Sequence, residues 1–257
     1  MHVNLKLCVT AICFQFLIAA WHSTASARLP KNIDSMDAQD VYELAIKSHE
    51  SKDYTDASNL YHWAESLAKK QLGEDHELVE KAITAGREVR ISRAEVELAR
   101  AKAEYGESHP KVAKAYDELS QSWRNIGDKR KAIEHLESAI AIAEQFYESS
   151  EYVLRNYHMS VGISWRDLNE HEKALNAYDI AIQNDIDSFN SHVLGQAVIH
   201  YNYGVSWAGL NEHTKALHYY ESAWANIWEY YEADYVDDEF AVKIKKLLQE
   251  TKQKLGK

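Results

Sequence analysis

Apolar and polar positions follow helical spacing along most of the chain, and between about residues 120 and 225 the pattern repeats every 42 residues. Trp123, Trp165 and Trp207 mark equivalent places in three successive copies. Within one copy, two stretches with helical apolar spacing, 153–168 and 173–184, flank a short polar segment. This order predicts a helix, a tight turn and an antiparallel helix. A fixed period of roughly 20 to 50 residues predicts an all-α solenoid of antiparallel helix pairs.

The predicted helices alternate small and large residues along one face. In the second helix of each copy, an alanine, a large residue and another alanine follow at helical spacing. These sets are Ala132, Leu136 and Ala139; Ala174, Tyr178 and Ala181; and Ala216, Tyr220 and Ala223. In the first helix, Ser120, Gly162 and Gly204 precede the tryptophans by three residues. Such small residues let two helices approach closely, and we expect the indoles to fill the adjacent gap.

This arrangement resembles the tetratricopeptide repeat (TPR) family, whose pattern of a small residue and an aromatic, then alanine, aromatic and alanine, is met twice. It is met at Gly162, Trp165, Ala174, Tyr178 and Ala181, and again at Gly204, Trp207, Ala216, Tyr220 and Ala223. The first unit keeps the same order at Leu44, Ala45, Tyr54, Ala57, Tyr61 and Ala64. The 42-residue period and the lead-in at 106–110 are similar to the long repeats of kinesin light chain-like TPRs. The resemblance implies a right-handed superhelix that binds peptides or partner proteins on a concave face lined by the first helices.

The chain is expected to divide into four segments. Residues 1–27 read as a signal peptide, because the apolar stretch 7–20 is followed by Ala25-Ser26-Ala27 and falls short of the roughly 20 apolar residues of a membrane span. Residues 28–36 form a short lead-in, and 37–236 hold about five repeats, the second of them degenerate because 77–105 loses the motif. Residues 237–257 are expected to form a capping helix. Cleavage after Ala27 predicts a periplasmic or secreted protein without stable membrane insertion.

Composition narrows the chemistry of the exported chain. Cys8 and Cys13 both lie in the signal segment, so we expect neither disulfides nor thiolate chemistry afterwards. The formal net charge is −11 for the whole chain, and removal of Lys6 with the signal makes it −12. An acidic surface repels phosphate backbones, so nucleic acid is not an expected partner. No catalytic motif is recognised in the sequence, and we expect a non-enzymatic protein that needs no cofactor or metal.

Candidate binding residues lie on the first-helix face opposite the one that packs on the second helix; we call this the helix-A face. In the third unit they are Lys114, Asp117, Gln121, Arg124 and Asn125; in the fourth Asn156, Met159, Ile163, Arg166 and Asp167; and in the fifth Val198, Tyr201, Val205 and Ala208. The face runs from polar to apolar, which suits a protein or peptide partner that is part charged and part hydrophobic. Self-association could instead bury the apolar end.

Two other functions remain open at this stage. An aromatic cluster near the end of the repeats could contact cell-wall glycans or could be core; it comprises Tyr219, Tyr220, Trp224, Trp228, Tyr230, Tyr231 and Tyr235. His158 and His200 stand one period apart, with His192 nearby, so they could hold a metal ion or could be packing residues.

Overall fold

The computed structural model describes residues 30–146, 152–183, 193–230 and 239–257. The predicted signal peptide lies outside the described residues, as do His192, Tyr231, Tyr235 and the side chain of Tyr230. Within the described ranges every regular element is helical, which confirms the predicted all-α class. Over these four ranges, a short 3-10 helix at Ile33–Ser35 precedes ten α-helices: α1 Ala38–Glu50, α2 Tyr54–Leu72, α3 Glu77–Tyr105, α4 Pro110–Ile126, α5 Lys129–Ala143, α6 Tyr152–Asp167, α7 His171–Gln183, α8 Val193–Gly209, α9 His213–Tyr230 and α10 Glu239–Lys254.

The chain divides into two compact units, residues 1–93 and 94–257. In the first unit, α1 and α2 form a helical hairpin, and the N-terminal part of α3 packs against it. Ala57, Tyr61 and Ala64 of α2 lie in its core, as the small-large-small pattern predicts. Gly86 of α3 permits a close approach, because a Cβ there would lie 3.3 Å from the Cβ of Tyr61.

Helix α3 corrects the predicted second repeat, because 77–105 forms one continuous helix instead of a degenerate helix pair. The segment is rich in Ala, Glu and Arg, which favour helix, and it contains no proline. Its one glycine, Gly86, is accommodated by contact with Tyr61. With nothing to stop the helix, the turn of a helix pair does not form. The described residues therefore hold four hairpins, one long helix and a terminal helix in place of five pairs.

The second unit contains the repeats that the sequence marks most clearly. Hairpins α4–α5, α6–α7 and α8–α9 follow one another, and their second helices begin at Lys129, His171 and His213, 42 residues apart. Helix α6 packs against α5, and α8 packs against α7, so each hairpin contacts its neighbour in sequence. This is the stacking of a helical-repeat solenoid.

The same turn joins the two helices of each of these hairpins. Gly127, Asn169 and Asn211, again 42 residues apart, have φ angles of 99°, 61° and 61°. In hairpin α6–α7 the backbone N–H of Asn169 donates to the carbonyl of Arg166, and that of Glu170 donates to the carbonyl of Trp165, both at 2.9 Å. These two bonds define a Schellman motif, which satisfies the last carbonyls of the first helix and reverses the chain. The turn thus fixes where the second helix starts.

The small residue of each first helix lies against the large buried residue of the second. A Cβ added to Gly162 would overlap the ring of Tyr178, and one added to Gly204 would overlap the ring of Tyr220. Both tyrosines are at most 1% exposed. In hairpin α4–α5 the smaller Leu136 takes the place of the tyrosine, and there the first helix carries a serine, Ser120. The first helix therefore carries the smallest residue, glycine, where the second helix carries tyrosine, and the larger serine where the second helix carries leucine.

The three tryptophans are placed differently from the sequence-based expectation. Tyr178 and Tyr220 fill the space beside the small residues, whereas Trp123, Trp165 and Trp207 are only half-buried. A lysine of the following helix covers each indole in a cation–π contact. The Nζ atoms of Lys131, Lys173 and Lys215 lie 3.7, 4.4 and 4.1 Å from the respective ring centroids.

Helix α10 covers the last hairpin. Ala241, Ile244 and Leu248 point into a hydrophobic cluster with Ala223 and Ile227 of α9. These three residues of α10 recur at helical spacing, so they form one apolar stripe. The stripe shields an apolar face that the last repeat would otherwise leave open, as terminal elements of solenoids do.

Candidate partner-binding surface

The polar end of the predicted helix-A face lies on α4. Lys114 is 74% exposed, with its Nζ 3.6 Å from the carboxylate of Glu118. The Gln121 side chain donates a 2.9 Å hydrogen bond to Asp117. Burial raises the pKa of Asp117 above its ordinary value. Asn125 and Gln121 are exposed, so together with Lys114 they give this end freely accessible polar groups.

The middle of the face is a polar cluster that links hairpins. The Arg166 guanidinium donates to the side-chain oxygen of Asn202 on α8, and its Nη2 donates to Asp167 at 2.7 Å. Lys129, at the start of α5, donates to the Arg124 carbonyl at 2.7 Å and lies 3.9 Å from the Asp167 carboxylate. Of the predicted residues, Arg166 and Asp167 join this cluster through their side chains and Arg124 through its main-chain carbonyl.

Two members of this cluster were not on the predicted face. Asn202 is 2% exposed, and its side-chain nitrogen donates to the Val198 carbonyl at 2.8 Å, so both ends of its amide are bonded. Lys129 is the first residue of α5 and was absent from a prediction confined to first helices. Asn202 had a signal in the sequence, because it is a polar residue in an otherwise apolar stretch.

Met159, predicted to lie open on this face, is buried instead. Its side chain is 8% exposed and packs in a cluster with Leu175, Tyr178 and Ile199. The reason is geometric: helices α7 and α8 both pack on the side of α6 that carries Met159, so this side chain is enclosed between them. Asn156 and Ile163 are half-buried beside it.

The apolar end of the face is also less open than predicted, since α10 covers most of it. The ring of Tyr201 meets that of Phe240 edge-on at 5.3 Å, and Lys243 lies over the same ring at 5.3 Å. Val205 packs into the α9–α10 cluster, with Ala208 next to it. Val198 alone among the predicted apolar residues is exposed, at 38%. Helix α10 thus covers Tyr201 and Val205, which self-association could otherwise have buried.

The two periodic histidines sit in different surroundings. His158 lies near Glu144, the residue that directly follows the preceding helix α5, and burial lowers the pKa of His158. His200 instead faces its own hairpin, where its Nδ1 is 3.1 Å from the Asn226 side chain and its ring is 6.0 Å from that of Tyr219. Burial lowers the pKa of His200 as well. Among the residues that the structure describes, no group of three His, Cys, Asp or Glu side chains is arranged to hold a metal ion.

The described part of the aromatic cluster is mostly packed. Tyr220 is 1% exposed, and Tyr219 stacks on Tyr203 with ring centroids 4.8 Å apart. The rings of Trp224 and Trp228 are 6.2 Å apart, and Trp228 is 49% exposed. Trp228 is therefore the aromatic side chain of this set that offers a surface.

None of the helices over 30–146, 152–183, 193–230 and 239–257 has the length and apolar character needed to cross a membrane.

Comparison with solved structures relates the fold to TPR-like repeat proteins. BtubC (BKLC) from P. vanneervenii is 18% identical with a TM-score of 0.52, and the match covers 91% of this chain and 85% of that chain. A Podosopora anserina protein described as a putative kinesin light chain with nearly identical TPR-like repeats is 14% identical (TM-score 0.48; 74% and 95% covered). A TPR protein from Thermus thermophilus is 16% identical (TM-score 0.39; 82% and 99% covered).

No protein-family profile matches the sequence, and no curated protein matches it significantly. The likeness to BtubC shows the fold and nothing finer, since the two chains share 18% of their residues. At that level the expected all-α helical-repeat solenoid is confirmed, and the chain resembles TPR-like repeat proteins in its fold alone.

Proposed function

We propose that this protein is a non-catalytic adaptor that is exported and binds a partner polypeptide on the helix-A face of α4, α6 and α8. The fold supports this because stacked hairpins align the first-helix side chains of consecutive repeats in one continuous surface. The observation that carries the proposal is the cluster of Arg166, Asp167, Asn202 and Lys129, which joins successive hairpins. Its side chains are fixed before any partner arrives, so less conformational entropy is lost on binding.

The expected partner is a protein segment with both polar and apolar side chains. Lys114, Gln121 and Asn125 would contact its polar part, and Val198 remains exposed for its apolar part. The formal net charge of −12 expected after loss of Lys6 favours partners that are not themselves acidic, and it disfavours nucleic acid.

A matched pair of charge reversals tests the binding surface. Lys114 and Lys246 are each exposed by about three quarters, and each has a glutamate four residues further on. We expect Lys114→Glu to lose the partner that the wild-type protein captures from its native compartment, identified by mass spectrometry, while Lys246→Glu keeps it. Capture by both variants at the wild-type level would place the site away from α4.

The proposed export has a direct test. N-terminal sequencing of the protein recovered from the periplasm or the medium should begin at Arg28. Recovery of the chain only from the cytoplasm with residues 1–27 still attached would contradict export while leaving the adaptor proposal standing.

A glycan-binding function is the second candidate, favoured by the exposed ring of Trp228 beside Trp224. Flat aromatic surfaces stack on sugar rings. Retention of the wild-type protein, but not of Trp228→Ala, on insoluble cell-wall material would support it. If the cell-wall material retains neither protein, the glycan-binding alternative is removed.

A further inference from the structure

A groove in the second unit lies away from the helix-A face. It runs between the second helices α5 and α7 and is floored by α6, with a volume of about 470 Å3. Val161 of α6 and Ala177 of α7 form its apolar floor, Trp165 and His158 lie beside them, and Glu137 of α5 stands at its rim. His158, Val161 and Trp165 fall on the opposite side of α6 from Asn156, Ile163 and Arg166 by helical geometry.

One repeat later the protein fills the same space with its own side chains. The positions 42 residues after Val161, Ala177 and Glu137 are Tyr203, Tyr219 and Asp179. There the Tyr203 and Tyr219 rings stack at 4.8 Å, inclined by 13°. The Tyr203 hydroxyl donates a hydrogen bond to the carboxylate of Asp179. A phenol ring on an apolar floor, bonded to a carboxylate of the preceding second helix, is therefore the native occupant of that position.

One repeat earlier a ring also stands at the position of Ala177, while Leu119 stands at that of Val161. Forty-two residues before Ala177 stands His135, whose ring stacks on Tyr116 at 6.1 Å and lies near Glu95. Glu95 in turn precedes Glu137 by the same interval. Both neighbouring repeats thus supply a ring next to an acidic side chain. The middle repeat keeps the acid, Glu137, and places the methyl group of Ala177 where its neighbours have a ring.

We propose that the α5–α7 groove binds a tyrosine side chain presented by a partner polypeptide. The ring lies on Val161 and Ala177 and meets the edge of Trp165, and the hydroxyl donates to Glu137, as Tyr203 does to Asp179. The groove is open along one side, so it admits a side chain whose backbone stays outside. This site is separate from the helix-A face, and its test does not depend on the proposed adaptor surface.

The binding test uses the full chain and the probe Ac-Ala-Ala-Tyr-Ala-Ala-NH2. A single anchored side chain gives weak binding, on the order of 1 mM, so NMR titration is the suitable readout. We expect shifts confined to the Val161 and Ala177 methyl groups and the Trp165 indole N–H. The same peptide with Phe for Tyr should bind about fivefold more weakly, because it lacks the hydroxyl. The peptide with Ala for Tyr should not bind.

Two protein variants make the result specific to the groove. V161Y/A177Y copies the next repeat and should abolish binding by filling the space, with a raised melting temperature. Glu137→Ala leaves the groove open, so it should bind the Tyr and Phe peptides equally and Tyr more weakly than wild type does. Glu137 is exposed, so this variant keeps the assay meaningful should the double variant fail to fold.

Several outcomes would overturn the proposal. Absence of localised shifts at 20-fold the expected dissociation constant, about 20 mM, would do so, as would binding that persists in V161Y/A177Y. Equal binding of p-cresol and the tyrosine peptide would make this a site for a free phenol instead of a polypeptide. Shifts of the same nuclei on raising the protein concentration without peptide would assign the groove to a second copy of this chain.

Discussion

Gly162 shows how one hydrogen atom sets the packing of a whole hairpin. A methyl group there would overlap the ring of Tyr178, which is fully buried. We expect Gly162→Ala to lower the free energy of unfolding by about 1 to 3 kcal/mol, the usual cost of overpacking, although alanine favours helix over glycine. Urea unfolding followed by circular dichroism measures the difference.

Ser120 provides the control for Gly162, since it occupies the same place opposite the smaller Leu136. Ser120→Ala removes a hydrogen bond of 2.7 Å to the Asp117 carbonyl but adds no volume. We expect a loss of about 1 kcal/mol or less. Equal losses in the two variants would contradict the steric account of Gly162.

His200 gives the protein a dependence of stability on pH. Burial lowers the pKa of His200 in the folded state below its ordinary value of 6.5, with His218 adding to the effect. The unfolded chain therefore binds the proton more readily, and stability present above pH 6.5 is lost as the pH falls. Burial lowers the pKa of His158 and His135 as well, so these histidines act in the same direction.

We expect the melting temperature to fall between about pH 7.5 and 5.5, and the fall to be smaller in His200→Gln. The control is His62→Gln, because the His62 side chain is 73% exposed. An unchanged pH slope in His200→Gln would show that this histidine is not responsible.

At the scale of the element, the turns are the features most sensitive to single substitutions. Asn169 adopts a φ of 61°, a left-handed conformation that costs an ordinary residue with a Cβ about 1 to 2 kcal/mol. We expect Asn169→Ala to lower stability by about 1 kcal/mol and Asn169→Gly to leave it equal or higher. Thermal melts of both proteins check this. A tolerant alanine together with a destabilising glycine would contradict the role of the turn.

The elements also show what the sequence could and could not predict. The period, the turns and the small-large-small face were readable because they depend on contacts within one hairpin, as between Gly162 and Tyr178. The continuity of α3 was not, because a lost motif looks the same whether the helices separate or merge. The lysines over the indoles, such as Lys173 over Trp165, had a signal in their 42-residue spacing. The spacing alone could not show that each lysine contacts an indole, because this contact depends on the turn that places the two helices side by side.

At the scale of the whole molecule, α10 decides which apolar surface meets solvent. The predicted apolar end of the helix-A face is mostly covered, because Phe240 lies against Tyr201 nearly 40 residues away in sequence. Such docking between distant helices depends on tertiary geometry, which a periodic pattern does not encode. By contrast Arg166 and Asp167 hydrogen-bond to each other, since neighbours on one helix end share their surroundings.

Removal of α10 should therefore destabilise the last hairpin and cause the protein to self-associate. A chain ending at residue 230 exposes Ala223 and Ile227, which pack against α10. We expect a lower melting temperature and concentration-dependent association in sedimentation experiments, as exposed apolar patches cause. Lys246→Glu, a substitution on the outer side of α10, is the control and should remain like the wild type. A monomeric truncated chain with normal stability would contradict the shielding role.

The repeated connections at Gly127, Asn169 and Asn211 also limit how genes for such a protein can change in length. Within the hairpins α4–α5, α6–α7 and α8–α9, duplication or loss of a block of 42 residues keeps the order of helix, turn and helix and the facing of the alanine stripes. A block that is not a whole number of hairpins would break this order, and most such lengths would also rotate the following helix so that its alanine stripe faces away from its neighbour. Growth and shrinkage of this chain by recombination are therefore tolerated in whole hairpins.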